Sequence, residues 1–404
     1  MPANQELPQL PAVGELLTSG LDKVLAGRTE PAWLTDNRRN AWKAFQAMEM
    51  PFWRRTNLRQ FSFDLFRPTF GIAEIRFTGQ EGVIVRDMQS ALRERPDLMD
   101  DALGVSLDAR PNKFTALHGA LWQDGVFVYV PKNVVVEEPI RIVYRLPEAG
   151  AAIFPHTLVV AEPNSSVTVV EEFVSDDLSD PALCIPAADI IVNDNAEVRF
   201  LSVQSFGRNA FHIGSQFVSM RGKDSRIWWL TAALGGRVQH LEMEIYLGGN
   251  GSHADWLGVN YANEQQNLVY APIIRHVGLH TEGSVNFRSV VDDEGYAVFD
   301  GLIKIEKGAQ GTNSDLRDNA LHLGPKARSD SIPGLEIDAN DVKAGHGSTS
   351  GPIDPEQVFY LRSRGLPEAE ALRMVVMGFI SEVVDQIPVE DLHDRVVDLI
   401  AAKI

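Results

Sequence analysis

The 404-residue chain contains one cysteine, Cys184, and that scarcity excludes more chemistry than any other feature of its composition. A single thiol cannot build an intrachain disulfide framework, a C-x-x-C redox or zinc motif, or a cluster held by four cysteines of one chain. Positive charge is also short: 37 Lys and Arg stand against 55 Asp and Glu, a formal net charge of -18. Phosphate backbones are drawn to clustered Lys and Arg, so this balance argues against a nucleic-acid binder. No apolar run approaches the roughly 20 residues of a membrane span. The start, Met1-Pro-Ala-Asn-Gln-Glu-Leu7, has neither the basic stretch nor the apolar block of a secretory signal, so a cytoplasmic protein is expected. Common catalytic signatures are missing too, including G-x-x-x-x-G-K-[ST], H-E-x-x-H, G-x-S-x-G and a dinucleotide-binding glycine fingerprint. Any ATP or redox chemistry would come mostly from another chain.

What is present falls into three zones. Residues 1–115 are mixed. Asp36 is placed to cap a helix through Asn40, Trp42, Phe45 and Met48 that stops at Pro51, with Ala41, Phe45 and Met48 on one buried stripe. Residues 61–86 alternate like strands, and 87–98 return to helical spacing. Residues 116–350 carry no convincing long amphipathic helix. They hold short β-runs, such as 126–130, 134–136, 140–144 and 240–246, the last with Leu241, Met243 and Ile245 on one face. Turn clusters at 193–195, 222–224, 248–251, 282–283 and 308–311 recur at roughly 26 to 32 residues, a period suited to two strands and two turns per coil. A mainly β fold, a right-handed parallel β-helix, is therefore predicted in preference to a sandwich, with its apolar face inward and Asp, Glu, Arg and Gln outward.

Residues 351–404 read as a helical domain. Asp354 caps, Pro355 takes the first helical position, Gln357 completes a capping-box pattern and Gly365 ends the helix. Pro367 opens the next, with Leu372, Val375, Val376, Phe379, Ile380, Val383 and Val384 on one wide apolar face. Pro388 starts a last helix bearing Leu392, Val396, Leu399 and Ile400. These stripes need a partner surface, in this chain or in another.

Histidines supply the candidate ligands. His276 and His280, about 13 Å apart if both lie on a strand, read as solvated. His240, Glu242 and Glu244 share a strand face, either as an exposed polar face or as a cation site. His346 sits between Gly345 and Gly347 in Val342-Lys-Ala-Gly-His-Gly-Ser-Thr-Ser-Gly351, where the β zone gives way to helices. A neutral imidazole there can donate a lone pair to iron or zinc; the alternative is a turn histidine bonded to a carbonyl.

Residues 335–365, including that block and Phe359-Tyr-Leu-Arg-Ser-Arg-Gly365, resemble the signature of the SufB/SufD family of iron–sulfur cluster assembly scaffolds. Ala297-Val-Phe-Asp-Gly-Leu-Ile303, Gly125-Val-Phe-Val-Tyr-Val-Pro131 and Glu30-Pro-Ala-Trp-Leu34 followed by Trp53-Arg54 extend the resemblance over most of the chain. The form of the histidine block is that of the SufD branch. The resemblance implies a right-handed β-helix between an N-terminal helical region and a C-terminal helical domain. It also implies a non-catalytic role in the SUF complex, supporting cluster assembly and iron acquisition.

By the same resemblance the chain pairs with a SufB-type scaffold through solenoid ends, or with a second copy of itself, and its C-terminal helices bind a SufC-type ABC ATPase. Phe359, Tyr360, Arg362, Arg364, Leu372, Val376, Phe379 and Val383 are the implied partner-binding residues. His346 is the implied metal ligand at the interface, with iron or a cluster held transiently in the complex and none stably by the lone chain. Relatives often carry a cysteine two residues earlier, where this sequence has Ala344. His322, on the segment 319–323, reads as a core-edge or surface residue. A carbohydrate-active β-helix enzyme and a structural adaptor without a metal role are the competing readings.

Overall fold

The computed structural model describes residues 11–25, 30–71, 73–99 and 102–404. The amino-terminal run read for a leader, residues 1–7, lies outside them, as do residues 26–29, 72 and 100–101. The centre is a parallel β-solenoid of about eight turns, with an N-terminal mixed region before it and helices after it. One sheet runs from Ile84–Asp87 to Arg328–Ser331, and the other from Ala73–Arg76 to Val342–Pro352. Pairing between coils is parallel throughout. Only the first strand of each sheet is antiparallel to its neighbour, Ala73–Arg76 on Ile140–Arg145 and Ile84–Asp87 on Gly125–Val130.

The turns show why the sequence coils. Asn133, Asn164, Asn195, Asp224, Gly251, His280 and Gly311 all take positive φ, between 53° and 74°, at intervals of 27 to 31 residues. This left-handed conformation favours Gly and Asn, which explains the composition of the turn clusters. Asn164 Nδ2 donates to Asn133 Oδ1 (2.8 Å) and Asn195 Nδ2 to Asn164 Oδ1 (3.0 Å), so the corner is also stitched from coil to coil. His280 belongs to this corner and not to a strand.

Inside, equivalent positions stack. The strand register aligns Ile140, Val169, Phe200, Trp229, Trp256, Val285 and Leu316 in one inward column. The Trp229 and Trp256 rings lie 4.6 Å apart and within 2° of parallel. Polar groups enter this core as well, contrary to the simple inward-apolar expectation. Glu171 is buried and accepts from Thr157 Oγ1 (2.6 Å) and Ser202 Oγ (3.1 Å). His212 Nδ1 lies 3.0 Å from Gln239 Oε1, beside Gln204. His276 bonds Thr281 and Ser314, so it is a buried core residue and not a solvated one.

Both outer faces are covered, which is why several strands are buried along their whole length. The N-terminal region packs Leu34, Trp42, Phe45, Phe114 and Leu117 onto Leu158, Ile191, Phe211 and Ile213 of the first sheet. Its long helix is Ala32–Ala47, five residues earlier than an Asp36 cap requires. Its buried stripe is Leu34, Arg38, Trp42 and Phe45. Arg38 is buried because Glu30 pairs with it at 3.0 Å and the Trp122 carbonyl accepts at 2.7 Å. The helix Lys113–Leu121 docks through a chain of rings: His118 Nδ1 to the Ile185 carbonyl (2.7 Å), His118 Nε2 to His156 Nδ1 (3.0 Å), and His156 Nε2 to Asp189 (2.8 Å). On the other side, the helices Glu368–Val384 and Glu390–Ala401 bury Val376, Ile380, Val383, Leu392, Val396 and Ile400 against Val170, Leu201, Leu230, Leu257 and Val290. Asp354 caps the first C-terminal helix as expected, by accepting from the Glu356 amide at 2.9 Å.

Glu171 sets a pH test of this core. Burial lifts its carboxyl from 4.5 to about 7. The folded state therefore holds a proton that the unfolded chain releases, and stability falls as pH rises from about 4.5 through 7. Glu171→Gln should flatten that part of the pH–stability curve. At pH 8 it should gain up to roughly 3 kcal/mol over the parent, read by urea unfolding at several pH values. An unchanged pH dependence would place the ionisation elsewhere.

Candidate functional site

The two ends of the solenoid differ. The first coil is closed by the antiparallel strands and the N-terminal helices. At the other end Val342–Pro352, Arg328–Ser331 and Gly334–Ile337 have no further strand beyond them among the described residues. Leu335 and Ile337 pair with the buried Ile303 and Ile305, so they occupy inward positions, yet they are 37% and 40% exposed. This end is an uncovered core.

His346 stands at its rim. It is not in a turn: it lies in the middle of the strand Val342–Pro352, paired in register with Leu316. It therefore continues the column of Trp229, Trp256, Val285 and Leu316, with an exposed imidazole where the lower coils place apolar side chains. The glycines on either side extend here as strand residues, because the ladder to Thr312–His322 fixes their backbone. The ring has no hydrogen-bond partner among the described residues. Two positions earlier, Ala344 packs half-buried against the core and offers no donor atom.

One coil inward lies Asp318, paired with Ser348 and only 4% exposed. Burial raises its carboxyl from 3.8 to about 6, against the opposing pull of Ser331 and Arg288. The sequence reading missed Asp318; its inward parity is visible only once the register is known. His322 is half-buried, 2.8 Å from Ser329 Oγ, as its core-edge reading expects.

The other proposed donors are taken. His240 is buried under the N-terminal region, stacked on Trp53 at 3.8 Å and 2.7 Å from Thr56 Oγ1, which lowers its pKa to about 3 through desolvation. Glu242 accepts from Asn112 Nδ2 at 2.9 Å. The exposed polar face expected there is thus a contact surface for a segment 184 residues away. Among the described residues no three His, Cys, Asp or Glu side chains converge as a metal site.

The residues expected to face a partner divide. Phe359 (71% exposed), Tyr360, Arg362 and Arg364 stand out from the helix Pro355–Ser363. Leu372 and Phe379 are half-buried, whereas Val376 and Val383 are fully buried against this chain's own sheet and are not available to a partner. A groove of about 850 Å³ remains between the helices, lined by Leu321, Tyr360, Leu361, Met374, Val375 and Phe379.

Residues 144–379 match the SUF system FeS cluster assembly, SufBD core domain, and residues 74–142 match the SufBD protein N-terminal region. The chain belongs to the SufBD family. It is 36% identical over 327 residues to the iron-sulfur cluster assembly protein SufD of Bacillus subtilis (strain 168), covering 80% of this chain and 74% of that one. An iron-sulfur cluster assembly SufBD family protein of Staphylococcus epidermidis (strain ATCC 12228) is 28% identical over 411 residues, covering 90% and 88%. This SufBD protein is therefore SufD-like. The core match includes most of the solenoid and runs through His346 and Phe359.

The geometry separates structure from site. Trp256→Ala, in the middle of the ladder, should cost about 3–5 kcal/mol of unfolding free energy. His346→Ala, at the exposed rim, should stay within about 0.5 kcal/mol of the parent. Urea unfolding of both variants checks this, and a large loss at His346 would make it a packing residue.

Proposed function

We propose that this SufBD protein is a non-catalytic subunit of a cytoplasmic SUF assembly complex, pairing end to end with a SufB-type scaffold and carrying a SufC-type ATPase. The observation that carries the reading is the uncovered solenoid end, where Leu335, Ile337 and His346 are exposed at inward positions. A stable partner with a matching end would bury that apolar surface and extend the ladder. His346 would then face the junction, where iron or a nascent cluster is cargo held by ligands from both chains. Pairing with a second copy is the alternative use of the same surface.

The ATPase fits the other exposed feature. Phe359 and Tyr360 rise beside the groove, with Arg364 over the Tyr360 ring at 5.1 Å and Arg362 paired with Glu368 at 3.3 Å. Aromatic and arginine side chains of this kind are typical anchors of protein interfaces. The absence of a nucleotide-binding motif from this sequence is in keeping with an ATPase that comes as a separate chain.

Removing the C-terminal helices is not a clean test, because it would strip the cover from Leu201, Leu230 and Val290. Point substitutions are. In co-expression with SufB-type and SufC-type chains, Leu335→Asp with Ile337→Asp should abolish scaffold pairing and leave the ATPase bound. Phe359→Ala or Tyr360→Ala should do the reverse, weakening ATPase binding by roughly 1–3 kcal/mol at a hot spot. Co-purification and calorimetry read both, and undiminished binding by these variants would overturn the assignment.

Cluster chemistry supplies a separate check. The lone chain, with Cys184 buried in the core, should stay colourless after anaerobic reconstitution and desalting. His346→Ala should leave the complex assembled yet lower its cluster yield. A normal yield from that assembled variant would favour the structural-adaptor reading.

A further inference from the structure

The segment 104–121, with its helices Val105–Ala109 and Lys113–Leu121, is tied to the first sheet at both ends. At its start, the Gly104 and Ser106 amides donate to the two oxygens of Asp189, each at 2.6 Å. Near its end, His118 reaches the Ile185 carbonyl and His156, and His156 in turn reaches Asp189. One run of side chains therefore joins the two ties. His118, His156 and Asp189 are all fully buried.

The directions of these bonds fix the number of protons. A carbonyl only accepts, so the Ile185 contact takes the proton on His118 Nδ1. The 3.0 Å contact between the rings needs a second proton, and the 2.8 Å contact with Asp189 a third. Two neutral imidazoles and a carboxylate carry one proton fewer. Burial, followed by the charges of His156 and Arg38, holds the His118 pKa well below 6.5, so His118 is the neutral acceptor. Asp189 stays a carboxylate because it accepts two amides as well as the ring. The additional proton is therefore on His156, donating from both nitrogens. The other charged groups packed around it are Arg38, which Glu30 pairs, Asp108 in the wall of the adjoining cavity, and Asp124, which accepts from the Gly71 amide.

We propose that His118, His156 and Asp189 form a proton-held latch that fastens the segment 104–121 to the solenoid and releases it as pH rises. Without the added proton, His156 can donate to His118 or to Asp189 but not to both, and the other contact sets one acceptor against another. Buried polar groups left in that state are costly. In the released segment the rings meet water, where a histidine is neutral above about pH 6.5. Docking then takes up one proton, so above that range it weakens by up to about tenfold per pH unit. The segment also has room to move. A cavity of about 350 Å³ separates it from the helix Ala32–Ala47, with Ala41, Leu107, Trp122 and His156 in its wall. Phe114 and Leu117 remain packed on the first sheet, so the proton tunes a local opening and leaves the fold in place.

The test is hydrogen exchange of the full chain, read by mass spectrometry at pH 7.5 and 9.0 and corrected for the intrinsic rate at each pH. Both values lie above the point near 7 at which Glu171 releases its proton. Protection of the amides of 104–121 should fall at least tenfold between them, and that of Arg226–Ala233 in the middle of the solenoid by no more than threefold. Asp189→Asn is the deciding variant. Its side-chain amide can donate to His156 Nε2, so two neutral imidazoles complete the run and the added proton is no longer needed. The variant should dock less firmly at pH 7.5 yet change less than threefold across the range. A merely structural Asp189 would leave the parent's pH slope in the variant. That outcome, unchanged protection in the parent, or a parallel fall in Arg226–Ala233 overturns the latch. Should Asp189→Asn misfold, ¹⁵N spectra of the histidine-labelled parent decide: at pH 7.5 both ring nitrogens of His156 should carry protons, and a neutral His156 overturns the proposal.

Discussion

Each coil of the solenoid satisfies its backbone hydrogen bonds through the coils on either side, and it buries its inward side chains against theirs. No coil is stable alone, so the register between strands carries the rest of the structure. A slip of one residue would turn Trp256 and Leu316 outward and bring charged neighbours such as Asp255 and Asp315 inward. The positive-φ corner from Asn133 to Gly311 protects against that slip, because each turn fixes where the next strand begins. The same constraint makes the two ends special: whatever lies beyond the last coil must satisfy a ladder and a core together.

The two ends meet that demand differently. At the start, antiparallel strands and the N-terminal helices close both ladder and core. At the finish, the chain leaves the solenoid through Val342–Pro352 and turns away to pack its helices on the flank of the second sheet. Those helices cover the side and leave the mouth alone. Leu335, Ile337 and His346 consequently sit in solvent at positions that every earlier coil buries. The mouth and the flank are separate surfaces, which allows one partner at each.

Much of this was legible beforehand. The irregular turn period gave the solenoid, since left-handed corners favour Asn, Asp or Gly, with His280 the exception in this series. The cap at Asp354 followed from local chemistry in the same way. The histidine block and the helix after it were recognisable as a family pattern, which pointed to His346 and Phe359. Errors arose where a residue's surroundings come from distant sequence. Asp36 was expected to cap the first long helix, whereas the helix starts at Ala32 and carries Arg38 on its buried stripe, where Glu30 and the Trp122 carbonyl meet it. His240 looked exposed because its strand alternates, but Trp53 lies across it.

The sequence by itself determined the coil period, the inward alternation of strands such as 240–246, the helical finish and the poverty of thiol ligands. These depend on backbone preference and on residue type, which are local. Tertiary structure decided which faces stay open. The same apolar stripe of the helix Glu368–Val384 would suit a partner or this chain's own sheet, and only packing assigns Val376 and Val383 to the sheet. Only the register could place His346 at the top of an aromatic and aliphatic column. Burial is a property of neighbours, and the neighbours here are whole coils apart in sequence.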